Sequence, residues 1–293
     1  MAPKSVLAAL VILLISSCNQ DVTYLDDDFP GMTPKLYAPG IVNVAGRLQQ
    51  NLSMSADGSE HYFTITDSTL WRYERILRVN KTSNGIEVDT PQFVKDFEYQ
   101  NEWFIGEPML SPDNEYLYFV ADYPPDLWRS KRTQSNDWGS PVKLTTISTE
   151  KDDWYPSFSQ NNALYFTNGT LFRSAEEYGN YLHKDLLNIP MNGVDIRDPC
   201  ISPSEDYLIF ASSDSTLDSA SDLYVSFKDE QGQWTPAQKL GHGINTNAWE
   251  IAPYISPDQK YLFFSRRDRW QNASYSNIYW VSLSILDSYR PVR

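Results

Sequence analysis

Along this chain, tight polar turns lead repeatedly into runs of aromatic and aliphatic residues too short to form a helix that buries itself. The stretch ISPDQKYLFFS, 255–265, shows the pattern, and it recurs as LSMSADGSEHYFTIT (52–66), LSPDNEYLYFVAD (110–122), FSQNNALYFTN (158–168) and ISPSEDYLIFASS (201–213). Counted from the turn serines at 55, 111, 159, 202 and 256, the steps are 56, 48, 43 and 54 residues. In Ser-Pro-Asp the proline presets φ for a turn and the aspartate can bond nearby backbone, so the chain reverses into a strand. That strand reads YLYFV, YLIFA or YLFFS, without alternation of apolar and polar positions, as expected where both faces are covered. Apolar spacing of three and four over ten or more residues, the mark of an amphipathic helix, is absent outside the first twenty residues.

Each copy continues into a second phrase, an aliphatic residue before an aromatic: Leu70-Trp71, Leu127-Trp128, Leu171-Phe172, Leu223-Tyr224 and Ile278-Tyr279. A proline stands three residues before the turn serine in four copies, at Pro108, Pro156, Pro199 and Pro253. Two copies add a third phrase, Trp138 to Leu144 and Trp234 to Leu240, which reads as an outermost strand. The last copy lacks one, and Thr33-Pro34-Lys35-Leu36 supplies it from the other end of the chain. Repeats of this length, each with more apolar surface than it can cover alone, predict an all-β fold: a β-propeller of four-stranded blades. The count favours five blades, with a sixth open in 67–105 or 170–198, and the N-terminal strand closes the ring.

The segment 1–17 carries one lysine and an apolar run from Val6 to Ile15, the form of a secretory signal too short to span a membrane. Its end, Ile15-Ser16-Ser17-Cys18, looks like a bacterial lipobox, so Cys18 is expected to carry the lipid and residues 18–32 to act as a tether. The propeller then occupies 33–293 as one domain. The whole chain has 24 basic and 38 acidic residues, a formal charge of −14. Loss of 1–17 removes Lys4 and no acid, leaving 23 against 38, or −15. Such a chain has no overall attraction for nucleic acid, and it meets the membrane only through its anchor. With Cys18 acylated, Cys200 has no partner and reads as a small buried residue.

The motif SPDxxYLxF followed by Asp-Leu-Trp or Asp-Leu-Tyr resembles the PD40, or WD40-like, repeat of TolB-type propellers over roughly 33–282. Copy three departs from it, with Phe158-Ser159-Gln160-Asn161-Asn162 at the turn, and copy one has Ala56 in place of proline. The resemblance implies an exported propeller serving as an interaction platform; it carries no reaction.

Propeller geometry puts the segments before each first strand and the loops between second and third strands on one face. Acids recur there: Glu107, Asp153, Asp198 and Glu250, with Trp154, Trp249 and the cluster Arg266, Arg267 and Trp270. These nine are the candidate ligand-binding residues of a channel mouth, set against the alternative that such acids cap turns or bond to the neighbouring blade. The expected function is a monomeric, lipid-anchored, non-catalytic module in the periplasm or on the cell surface, binding protein or glycan. A polysaccharide lyase or glycoside hydrolase at the same mouth is the alternative. No catalytic residue is assigned, since His61, His183 and His242 lack ligand spacing and no nucleophile elbow, phosphate loop or HExxH occurs. No cofactor is expected, with a divalent cation such as calcium as the exception that such acids could take.

Overall fold

The computed structural model describes residues 22–67, 73–91, 104–191, 195–213, 221–241, 243–269 and 272–291. Cys18, Leu70-Trp71, His242 and Trp270 therefore lie outside the described residues.

Five four-stranded antiparallel sheets form the ring. Blade 1 is Leu48–Met54, Glu60–Thr66, Glu74–Thr82 and Gly85–Asp89, and blade 2 is Ile105–Leu110, Tyr116–Ala121, Asp126–Lys131 and Val142–Lys143. Blade 3 is Trp154–Phe158, Leu164–Thr167, Leu171–Ser174 and Asp185–Leu186; blade 4 is Arg197–Ile201, Tyr207–Ser212, Asp222–Phe227 and Gln238–Lys239. Blade 5 takes Trp249–Ile255, Tyr261–Arg267 and Ser276–Ser282, with Lys35–Leu36 as its outer strand. In every blade the first strand is innermost, and first strands of successive blades touch around the axis, blade 5 returning to blade 1.

The recurring serine explains the turn. Tyr116 N–H donates to Ser111 Oγ (2.9 Å), whose own hydroxyl donates to Asp113 Oδ1 (2.5 Å), and Tyr261, Ser256 and Asp258 repeat this at 3.0 and 2.7 Å. One hydroxyl thus ties the start of the second strand to the turn aspartate. The position three beyond each serine has positive φ: Gly58, Asn114, Asn162, Glu205 and Gln259. At Gly58 a Cβ would fall 2.0 Å from the carbonyl oxygen of Thr23, so glycine is required there by the passing N-terminal segment as well.

The core is divided among the gaps between blades. Tyr62, Ile76, Leu117 and Phe119 fill the gap between blades 1 and 2; Tyr118, Val120, Leu164 and Phe166 fill the next. Leu171, Ile196, Leu208 and Phe210 follow, then Ile209, Val225, Leu262 and Phe264. Tyr37, Phe63, Phe263 and Trp280 close the circle. A 3₁₀ helix, Leu283–Tyr289, absent from the expected pattern, buries Leu283, Ile285 and Leu286 in the gap between blades 4 and 5.

Two readings shift in detail. The third strand of blade 1 begins at Glu74, and Ile76-Leu77 stands opposite Phe63 and Thr64 in the place assigned to Leu70-Trp71. The N-terminal strand pairs as expected, Lys35 opposite Trp280 and Leu36 opposite Tyr279, but Tyr37 does the inward packing. Tyr37 N–H donates to Ile278 O (3.0 Å), just as Leu240 N–H donates to Leu223 O (2.9 Å), whereas Leu36 is exposed.

Asn43 secures this closure. Its Nδ2 donates to Tyr37 O (2.5 Å) and Ile278 O (2.8 Å), and its Oδ1 accepts from Ile278 N–H (2.9 Å). Asn245 makes the matching set with Leu223 in blade 4. Replacing Asn43 with alanine strands a buried N–H, so urea denaturation is expected to show a loss of about 2–3 kcal/mol, with unchanged far-ultraviolet dichroism.

Candidate functional site

Every innermost strand carries a β-bulge at the same place, where register slips between the residues five and two before the turn serine. The extra residue is Asn51, Glu107, Tyr155, Asp198 or Ala252, each in the left-handed region (φ 50–58°). In four blades the next residue is the repeated proline; a bulge leaves its missing N–H without cost to the ladder. Side chains from the preceding blade accept from four of the bulged N–H groups. Ser265 Oγ accepts from Asn51 (3.1 Å), Thr64 Oγ1 from Glu107 (3.0 Å), Glu107 Oε2 from Tyr155 (2.7 Å) and Asp198 Oδ2 from Ala252 (2.8 Å). Lower on the same strands, Ser53 accepts from Leu110 N–H and Ser157 from Ile201 N–H, both at 3.0 Å.

The recurring acids therefore divide by register. Glu107 and Asp198 are bulge residues, buried and spent on the next blade's backbone. Asp153 and Glu250, two residues earlier, cap the turn before the strand. Thr149 N–H and Oγ1 donate to Asp153 (2.7 and 2.8 Å), and Thr246 does the same to Glu250 (3.0 and 2.7 Å). Arg266 also belongs to this cap, with Nε on Glu250 Oε1 (2.7 Å) and Nη2 on the carbonyls of Gly243 and Ile244. Among the described residues these four acids do not form a continuous ring of open carboxylates.

At the axis, each blade contributes to a buried polar cluster: Glu74, Glu107, Tyr155, Asp198 and Arg267. Burial pushes Glu74 up to about 8, offset in part by the charge of Arg267. Burial likewise raises Glu107 well above the carboxylate range, with Glu74 adding to it, and carries Asp198 to about 6 against the hydrogen bond from Ala252. Gln50 Nε2 donates to Glu74 Oε1 (2.9 Å), while Glu74 Oε2 and Glu107 Oε1 meet no hydrogen-bond partner. Gly106 passes so close to Glu74 that a Cβ would lie 2.1 Å from Oε2, so a side chain there would force the carboxylate to move.

Beside this cluster the mouth opens into a cavity of about 670 Å³ between blades 3 and 4. Trp154, Tyr155, Arg197, Asp198 and Ile251 form its floor; Lys151, Asp152, Thr167, Asn168, Gly169 and Asp195 form its walls. Its position follows from loop length: in blade 3 only 168–170 joins the second strand to the third, against 213–221 in blade 4 and 268–275 in blade 5. Trp154 packs edge-on against Phe104 at 5.3 Å and is half-buried. The Arg197 guanidinium lies 5.5 Å from the ring centre of Trp249 and donates from Nη2 to Ser213 Oγ (2.5 Å), while its Nε is buried without a hydrogen-bond partner.

Of the nine residues expected at the mouth, the cavity gathers Trp154 and Asp198, with Trp249 beneath Arg197. Glu107, Asp153, Glu250 and Arg266 serve the scaffold, and Arg267 is fully buried at the axis. Trp154 and Trp249 begin first strands instead of lying in loops. Sequence reasoning did not reach Arg197, Asp195 or Asn168, although the unusually short Asn168-Gly169-Thr170 connection was the readable signal for a gap. Among the described residues no group of three or more histidines, cysteines and acids is placed to hold a metal. His61 is buried, its Nε2 2.7 Å from the Tyr37 hydroxyl and its pKa driven down to about 3 by burial, so it packs the closure as a neutral ring. Cys200 is a buried free thiol, raised to about 12 by burial.

No known protein family matches the sequence, and no curated protein is similar to it. Among solved structures the fold is similar to TolB from Acinetobacter baumannii, with TM-score 0.50 and 12% identity over 80% of this chain and 54% of that one. The chain thus spans about half the length of that protein. A chain of the nidogen/laminin complex gives TM-score 0.50 and 11% identity over 73% of this chain and 71% of that one. A GH43 endo-arabinanase from Bacillus licheniformis gives 0.47 and 13% over 80% and 93%. At such identities the likeness is one of fold alone.

The axial cluster makes stability depend on pH with a definite sign. Glu74 is raised when folded, so its contribution is complete below its unfolded pKa of about 4.3 and is lost as pH climbs toward 8. Glu74→Gln preserves the acceptor for Gln50 and removes this titration. Unfolding free energies from urea titrations at pH 5 to 8 are expected to fall in the wild type relative to the variant, by on the order of 1 kcal/mol per pH unit. Parallel profiles refute the assignment.

Proposed function

We propose that this chain is an exported, lipid-anchored cell-envelope propeller, facing the periplasm or the cell exterior, that acts as a binding module for a glycan or a protein segment. Its ligand enters the cavity between blades 3 and 4. The observation that carries this reading is the composition of that cavity: an indole, Trp154, set among acceptors Asp152 and Asp195, the amide of Asn168, and the cations Lys151 and Arg197. An aromatic face for stacking, ringed by hydrogen-bonding groups of both kinds, suits a sugar residue. The scaffold duties of Glu107, Asp153 and Glu250 favour binding over catalysis, because those carboxylates are already committed to backbone N–H groups. Among the described residues no helix is long and apolar enough to cross a membrane.

A second reading, a glycoside hydrolase, draws on one feature. Asp198 lines the same cavity with its pKa near 6, in the range of a general acid, and Asp152 and Asp195 lie on its walls as potential partners. Asp198→Asn keeps an acceptor for Ala252 N–H, so loss of sugar release by a folded D198N protein identifies catalysis.

The binding reading is tested by glycan-array and calorimetric titration of the protein from Asn19 onward. Trp154→Ala is expected to weaken binding at least tenfold, about 1.4 kcal/mol, and Asp195→Asn to weaken it less. Ile86→Ala, exposed on the outer strand of blade 1 and outside the cavity lining, is expected to leave affinity unchanged. Equal affinity in wild type and W154A removes the cavity from consideration.

A further inference from the structure

The two faces of the ring differ in how they relate to the start of the chain. One holds the mouth cavity; the other carries the serine turns. The described chain begins on the turn face, where Thr23 N–H donates to Asp57 O (2.8 Å) and the Tyr24 hydroxyl donates to Asp258 Oδ1 (2.7 Å). Lys81 Nζ, at the end of a blade 1 strand, donates to Tyr24 O (2.7 Å). Residues 22–25 are thus stitched across the turns of blades 1 and 5, with Gly58 giving them room.

We propose that the turn face is the surface this protein lays against the phospholipid bilayer that holds the acyl chains of Cys18, so that the mouth cavity points away from the membrane. The inference rests on the lipid-anchor reading above and adds an orientation to it. Reach decides it. Four residue steps separate Cys18 from Val22, and fully extended they span about 14 Å. A first strand of seven residues, Trp249–Ile255, separates the faces by about 20 Å or more. The anchor can therefore touch the bilayer beside the turns but cannot extend around the ring to bring the mouth down to it.

The chemistry of the turn face agrees. Phe29 and Met32, 50% and 61% exposed, stand next to the stitched segment, Phe29 stacked 5.9 Å from Tyr261. At the centre of the same face lies a depression of about 310 Å³ walled by Met54, Met109, Phe158 and Ile201, with no charged residue in its lining. The groove beside Pro30 holds Lys260 and Arg290, each already paired with a carboxylate, Asp258 at 3.3 Å and Asp287 at 3.5 Å, so the apolar contacts carry the argument. The turn aspartates Asp57, Asp113 and Asp258 have their carboxylates engaged by the turn serines.

The test uses the full acylated protein bound to phosphatidylcholine–phosphatidylethanolamine vesicles that contain a nitroxide-headgroup lipid. Single fluorophores are placed at Asn161→Cys on the turn face and at Tyr123→Cys on the mouth face, Cys200 being buried. Quenching several-fold stronger at position 161 than at 123 is expected. Equal or reversed quenching on protein whose N-terminal peptide carries the lipid by mass spectrometry overturns the orientation alone. An N-terminus without lipid overturns the anchor, and the orientation with it.

Discussion

The structure depends on one constraint: a blade of this protein has two apolar faces and can cover neither by itself. Phe119 and Tyr118, adjacent in one strand, face opposite gaps, one packed with blade 1 residues and the other with blade 3 residues. The same holds for Ile209 and Phe210. Hydrophobic burial, the dominant favourable term in folding, is therefore obtained only between blades, and only a closed ring leaves no face in water. That is why Tyr37, some 240 residues from its partner Ile278, is among the most buried side chains of the molecule.

The bulges turn this packing scheme into a site. Placing one extra residue at the same position in each innermost strand brings Asn51, Glu107, Tyr155, Asp198 and Ala252 to the axis and leaves their N–H groups in need of acceptors. Neighbouring blades supply those acceptors, so groups that look like catalytic carboxylates in the sequence act as links between sectors. Their raised pKa values express the burial of a structural network, and the reactive appearance of such groups does not by itself mark a site.

Function, on this view, comes from where the repeat is incomplete. Blade 3 has the shortest connection between its second and third strands, and the opening lies beside it. Trp154 and Arg197, which line the opening, each directly precede the bulge residue of their strand. A ring that spends its regular positions on closure offers a ligand its irregular ones.

The all-β repeat, its five copies, the serine turn and the pairing of Lys35–Leu36 with the last blade were legible in the amino-acid sequence, because each rests on local turn chemistry and on apolar runs that recur at a regular spacing. The turn acids Asp153 and Glu250 were legible too, as a threonine four residues ahead of each shows in retrospect. Tertiary structure alone decided which acids face solvent, since strand register and a bulge determine whether a carboxylate meets water or the next blade's N–H. It also decided the cavity, because a hollow depends on the height of loops drawn from distant parts of the chain, and local sequence contains no measure of the space between them.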